Sequence, residues 1–340
     1  LTVSSGATLT VNGVIENTQS ATNFMVESGA NLIQVDDVEN VGEITVYRNS
    51  SLIKHLDYTL WSSPVAEQGL KEFSPQTIWY RIYDYNTTTD QWSQIFGTSS
   101  DPDQNFEQGI GYMFRAPNDF VTTPYTYNGE FTGVPNNGEV TVNFTTTGKY
   151  QGLGNPYPSS ISTTDLQTET DLGTLYFWTN TNPWDDNQGD YTANNWATHN
   201  GVGGVAAAND TKEPNAFIST GQGFVADTEI APNTYLSEVT FTNAMRTSNE
   251  GVFFKAMEEE KHRLWLNLSD EQQTLNQTLI GYVQGATQGL DYGIDAQMFG
   301  YSGSALYSLI DNNENNFVIQ GRTLPFDDND VVQLGFRANQ

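Results

Sequence analysis

The stretch Trp184-Asp185-Asp186-Asn187-Gln188-Gly189-Asp190-Tyr191 sets three carboxylates and two side-chain amides around one glycine. Oxygen-rich loops of this kind can wrap a hard cation, because Ca²⁺ takes carboxylate and carbonyl oxygens at flexible geometry. No Glu stands at the twelfth position, so the loop is not an EF-hand. Asp101 and Asp103, with Glu107 nearby, form a second and poorer group. The competing account is a pair of Asx-rich surface turns, whose side chains bond their own backbone. Calcium held by Asp185, Asp186 and Asp190, and less well by Asp101 and Asp103, is the one cofactor expected.

Aromatic rings offer a second kind of chemistry. Trp184 and Trp196 flank a polar, Asn-rich loop, and Trp92 lies in another polar stretch. Exposed rings stack on sugar faces while neighbouring Asp and Asn bond the hydroxyls. Those three tryptophans are the candidate glycan-binding residues. Trp61, Trp79, Trp178 and Trp265 sit inside strand-like runs and read as core.

Bond-making chemistry has weaker support. A glycosidase needs two carboxyls about 5–10 Å apart across a cleft. With 41 acidic residues, some pair meets that distance by chance. Most lie in turn-like phrases such as Asp327-Asp328-Asn329-Asp330. His55, His199 and His262 share no ligand spacing, and no Gly-x-Ser-x-Gly elbow occurs. The absence of cysteine excludes thiol catalysis, Cys-based zinc sites and iron–sulfur clusters. A non-enzymatic role is expected, with a polysaccharide hydrolase as the third reading.

These residues need elements to position them, and the composition names the kind. Hydrophobic residues are 37% and charged residues only 16%, the remainder being rich in Thr, Ser, Asn, Gln and Gly. Thr and aromatics suit a pleated, half-buried surface, while Asn, Gly and Asp suit the turns between strands. An all-β protein is expected. Net charge is −28, which repels phosphate backbones and anionic lipid, so neither nucleic acid nor membrane insertion of this chain is expected. Such a charge also serves simply to keep an extracellular protein in solution. The chain begins at Leu1 with no signal-peptide pattern, which reads as a mature or internal piece of something longer.

Residues 1–50 carry an internal echo. Ser5-Gly6-Ala7-Thr8-Leu9-Thr10-Val11 recurs as Ser28-Gly29-Ala30-Asn31-Leu32-Ile33-Gln34. A glycine turn followed by a short alternating strand suits a β-solenoid, with a pair of hairpins as the alternative. Residues 51–248 read as an aromatic-rich β-sandwich or jelly roll with many short strands, Thr77–Tyr85 and Tyr125–Phe131 among them. A boundary follows near Ser248, and 249–340 read as a second sandwich, truncated after a last strand. Phe253–Glu260 is the one stretch with helical character, and its run of three Glu also suits a solvated linker.

A series of phrases in the middle and end of the chain resembles one family. They include Asp57-Tyr58-Thr59-Leu60-Trp61-Ser62-Ser63-Pro64-Val65 and Gly109-Ile110-Gly111-Tyr112-Met113-Phe114-Arg115-Ala116-Pro117. Phe131-Thr132-Gly133-Val134-Pro135-Asn136-Asn137-Gly138 and Gly152-Leu153-Gly154-Asn155-Pro156-Tyr157-Pro158-Ser159 follow. Leu175-Tyr176-Phe177-Trp178-Thr179, Gly221-Gln222-Gly223-Phe224, Phe241-Thr242-Asn243-Ala244-Met245-Arg246 and Arg263-Leu264-Trp265-Leu266-Asn267-Leu268 complete the set. In this order they resemble long Bacteroidetes cell-surface and secreted proteins exported by the type IX secretion system, in the region ahead of the C-terminal sorting domain. The resemblance implies export, contact with that secretion machinery, and attachment at or release from the cell surface. It carries no catalytic residue across. The reading is thus a non-catalytic structural or adhesive segment of a secreted cell-surface protein. A carbohydrate-binding module is the alternative, with an extracellular glycan as its partner.

Overall fold

In the computed structural model the internal echo pairs with itself. Thr8–Val11 and Asn31–Gln34 run parallel, with Thr8 opposite Asn31 and Val11 opposite Gln34. The Gly6 amide bonds the Gly29 carbonyl at 2.9 Å, and both glycines hold positive φ, as such turns require. Thr2–Val3, Met25–Val26 and the start of Ile44–Ile53 form a second parallel set. This is the pairing stacked coils would use, though so few turns of chain do not define a solenoid. The structure describes residues 1–119, 121–187, 189–248, 262–271, 274–300 and 303–338. The Phe253–Glu260 stretch lies outside them.

The protein is all-β. Short strands in several separate sheets dominate the described residues, and the longest α-helix among them is Thr163–Thr170. Two compact units arise. The first comprises Leu1–Thr170, Phe217–Val225 and Tyr235–Val252, and the second Asp171–Ala216, Ala226–Thr234 and Phe253–Gln340.

In the first unit, Ile44–Ile53 also pairs antiparallel with Tyr125–Gly133, so the N-terminal strands join the sheet that follows them. Tyr58–Trp61, Tyr112–Arg115, Ile82–Asn86 and Gln91–Gln94 make a further four-stranded sheet. The alternation along Tyr125–Gly133 buries Phe131 and leaves Glu130 and Thr132 outside, the period-two pattern of a half-covered strand. One core gathers Val26, Ile44, Val46, Trp61, Phe73, Phe114 and Phe131. Phe73 stacks on Phe131 at 4.4 Å, and Trp61 meets Phe73 edge-on at 5.2 Å. Each such side chain contributes about 1.5–3 kcal/mol through burial.

Three glycine phrases close this core from outside. The Gly154 amide bonds the Gly109 carbonyl at 2.9 Å, Ser62 bonds the Gly221 carbonyl at 3.1 Å, and Asn155 bonds the Gln222 carbonyl at 3.0 Å. A Cβ on Gly111 would lie 2.3 Å from the Leu153 oxygen, and one on Gly223 would lie 3.3 Å from Gly111 Cα. Gly-x-Gly at 109–111, 152–154 and 221–223 therefore lets three backbones touch where any side chain would hold them apart.

In the second unit, His262–Ser269, Thr274–Val283, Phe317–Thr323, Ala305–Leu309 and Gln333–Arg337 lie side by side in that order, with Ala296–Gln297 alongside Phe317–Thr323. Thr274–Val283 and Phe317–Thr323 are parallel, while the other pairs are antiparallel. Val202, Leu279, Val283, Ala296, Val318 and Ile319 form its core. Leu175–Trp178 pairs with Trp196–His199, which pairs with Gly204–Val205.

Three sequence expectations change. Trp265 is 37% exposed, because His262–Ser269 is an edge strand with a neighbour on one side only; its indole N–H bonds the Gly204 carbonyl at 3.2 Å. The strand expected over Thr77–Tyr85 opens with a 3₁₀ turn at Trp79–Arg81 and only then becomes Ile82–Asn86. Thr163–Thr170 is a helix, begun where the Ser162 hydroxyl accepts the Asp165 amide at 3.2 Å. That Ser-x-x-Asp spacing is an N-terminal capping signal.

Candidate functional site

Trp184–Asp185 and Asp190–Tyr191 are the two arms of a hairpin, with Trp184 opposite Tyr191 and Asp185 opposite Asp190. Gly189 takes φ +66° in the turn, which suits a residue without Cβ. Trp184 is 47% exposed, and its ring meets Tyr191 edge-on at 5.3 Å. Tyr191 meets Trp178 at 5.0 Å, Trp178 meets Trp196 at 5.1 Å, and Trp196 meets Phe299 at 4.9 Å. A continuous row of rings thus runs from half-buried Phe299 through buried Trp196 to the open ring of Trp184.

The row sorts the candidate tryptophans. Trp196 is only 8% exposed and serves as backing for the others. Trp92, in the first unit, is half-buried with its ring edge-on to Tyr85 at 5.2 Å. Trp184 presents a ring to solvent. Nearby, Asn182 and Asn195 bond each other's backbone and side chains at 2.8–3.3 Å, which fixes the loop at the hairpin base.

The acidic candidates mostly accept hydrogen bonds from their own loops. Asp185 Oδ1 accepts the Asn187 amide at 2.8 Å and Asn187 Nδ2 at 3.1 Å. Asp186 accepts the Trp184 indole N–H at 3.1 Å, and Asp190 accepts the Tyr191 amide at 2.7 Å. Asp101 accepts the Gly97 and Thr98 amides and the Thr98 hydroxyl, which together hold its carboxyl below the usual carboxylate range. Asp103 accepts the Lys71, Glu72 and Gln104 amides. Among the described residues no three or more His, Asp or Glu side chains are grouped so as to hold a metal ion.

Each histidine has its own surroundings. The His55 amide bonds the Val121 carbonyl, His199 is buried in the Trp196–His199 strand, and the His262 ring packs on Phe326 at 5.3 Å. Phe299 completes the aromatic row from more than a hundred residues away, and nothing local in the sequence marks it for that place. Among the described residues no helix is long and apolar enough to cross a membrane.

The fold is that of an all-β protein that presents the open end of an aromatic row at Trp184. The chain belongs to a family described as a domain of unknown function, DUF8693, which it matches over residues 1–340. Comparison with curated proteins and with solved structures finds no match.

Proposed function

We propose that this chain is a non-catalytic structural and adhesive segment of a secreted cell-surface protein, of the kind exported by the type IX system. What supports this reading is the position of the phrases that carry the resemblance. Trp61, Phe114, Phe131, Asn155, Tyr157 and Arg246 are all buried, and the three Gly-x-Gly phrases meet backbone to backbone. Apart from the Arg263–Leu268 phrase on its exposed edge strand, the likeness falls largely on framework residues, as it would in a module whose task is to hold a shape. Two measurements test it. Antibody against the chain should stain the producing cell or its medium and lose that signal when type IX export is inactivated. Incubation of the pure protein with a polysaccharide panel should release no new reducing ends; their release would sink the reading.

A second reading, glycan binding, is favoured by Trp184, which stands exposed at the end of the ring row beside Asp186 and the Asn-rich loop. An indole face supplies an apolar platform, and the neighbouring amides and carboxylates supply directional bonds. Affinity electrophoresis on soluble polysaccharides should show retardation that Trp184→Ala weakens. Calcium at Asp185, Asp186 and Asp190 is a separate proposal, favoured by Asp185 and Asp190 standing opposite each other across the hairpin. A cation bound only by the folded chain raises its melting temperature. EGTA should then lower that temperature, and an unchanged value removes the proposal.

A further inference from the structure

Loops of the first unit border a shallow, open groove of about 680 Å³, which the reading above does not use. Gln76 and Trp79 form one wall, Asn118 and Asp119 another, and Lys71 and Ser99 border the rest. The walls are tied to one another. The Asn118 amide bonds the Gln76 carbonyl at 2.8 Å, and the Thr77 hydroxyl bonds the Arg115 carbonyl at 2.8 Å. Lys71 Nζ donates to the Asp101 carbonyl at 2.6 Å while standing 4.1 Å from the centre of the Phe96 ring. These bonds fix the backbone of the walls, so a ligand need not order the groove itself, which removes part of the entropy cost of binding.

The chemistry of the lining narrows the ligand. Trp79 is half-buried and packed against the core, so its ring is held in place. Asn118 Oδ1 accepts Arg115 Nη2 at 3.1 Å, which leaves its amide nitrogen to donate. Asp119 is exposed, with one oxygen accepting the Val121 amide at 3.1 Å. An aromatic platform ringed by amides, a hydroxyl and a carboxylate matches a molecule with one apolar face and many hydroxyls. The volume falls within the roughly 300–1,000 Å³ of small-molecule sites. Charge selects further: a chain of net charge −28 repels polyanions, and Lys71, the one cation among these lining residues, is already engaged.

We propose that this groove binds a short stretch of a neutral polysaccharide, with Trp79 beneath a sugar ring and Gln76, Asn118 and Asp119 bonding its hydroxyls. The proposal gives the adhesive reading a ligand and rests on that reading. It is independent of the Trp184 hairpin, which belongs to the other unit.

The test is affinity electrophoresis and titration calorimetry on the whole chain, with soluble β-glucan, mannan and xylan as probes and alginate and polygalacturonate as acidic controls. At least one neutral glycan should bind, and Trp79→Ala should weaken it tenfold or more. Because Trp79 packs on the core, Ser99→Trp serves as the second variant: it fills the groove from an exposed rim and should abolish binding with the melting temperature unchanged. Both variants are read in a Trp184→Ala background, which removes the hairpin ring and in which the groove should still bind. Neutral glycan binding untouched by Ser99→Trp, binding to acidic glycans alone, or no binding to any probe overturns the proposal. Of these outcomes, none decides the adhesive reading, which the export and reducing-end measurements judge separately.

Discussion

The Arg246 guanidinium lies 4.8 Å from the centre of the Tyr157 ring, inside the first unit. Its hydrogen bonds to Ser159, Asn137, Asn243 and the Leu32 carbonyl all end on neutral oxygens. Burial holds its pKa down at about 10, with Tyr157 opposing that shift. One side chain thereby fastens Leu32 of the N-terminal strands to Asn137 and Ser159. Arg246→Ala strands several buried acceptors, each worth about 1–3 kcal/mol when unsatisfied. The expected loss is about 3 kcal/mol, read as a lower urea midpoint for the first unit. Arg246→Lys should recover only part of it, since an ammonium cannot reproduce the planar fork.

Gly111 tests the backbone contact. A methyl there meets the Leu153 oxygen at 2.3 Å, so Gly111→Ala must push the two backbone segments apart. The expected cost is about 2–3 kcal/mol. Gly13, with nothing within 4 Å of its would-be Cβ, is the control, and Gly13→Ala should change stability by less than about 0.5 kcal/mol. Equal effects at both positions in thermal melts would remove the close-contact account.

Trp184 and Trp196 should respond oppositely to truncation. Trp196 is buried between Trp178 and Phe299, and Trp196→Ala should cost about 3–5 kcal/mol. Trp184→Ala removes an exposed ring and should cost less than about 1 kcal/mol. Denaturant melts of the two variants, side by side, decide whether the exposed ring is free for a ligand or needed for the fold.

Asp295 makes stability fall with rising pH. Burial pushes its carboxyl up to about 7, and Asp291 adds to the shift; hydrogen bonds from the Asp291 and Gly321 amides, both 2.7 Å, and the Arg322 charge act the other way. Unfolded, the group titrates near the ordinary value of about 3.9. Between those values the folded chain keeps a proton that the unfolded chain has lost. The contribution is whole below about pH 4, shrinks as pH rises, and is gone above about pH 7, an upper bound of about 4 kcal/mol. Melting curves at pH 5 and pH 8 should show the second unit weaker at pH 8. Asp295→Asn, which cannot ionise, should narrow that difference; an unaltered gap would exclude Asp295 as its source.

Much of the fold class was legible locally. Alternation along Tyr125–Gly133 and the glycine turns at Gly6 and Gly29 report strands and turns because each depends on a residue and its near neighbours. The echo even contained its own pairing, since matched strands stack in register. The helix at Thr163–Thr170 escaped notice because four of its eight residues are Thr, a poor helix former, and the Ser162 capping signal is short. The Trp184 hairpin was legible as a polar loop between aromatics, but the groove at Trp79 and Asn118 was not, because its walls come from segments about forty residues apart.

Composition and alternation alone determined that this chain would build sheets and that its turns would be rich in acidic residues. Only the tertiary structure decided which rings face water. Trp184 and Trp196 flank the same polar loop and Trp265 sits in a strand-like run, yet one ends a row, one backs it, and the expected core ring lies half-open on an edge strand. A side chain's burial is set by the strand laid across it, and for Trp196 the covering ring, Phe299, arrives from far along the chain.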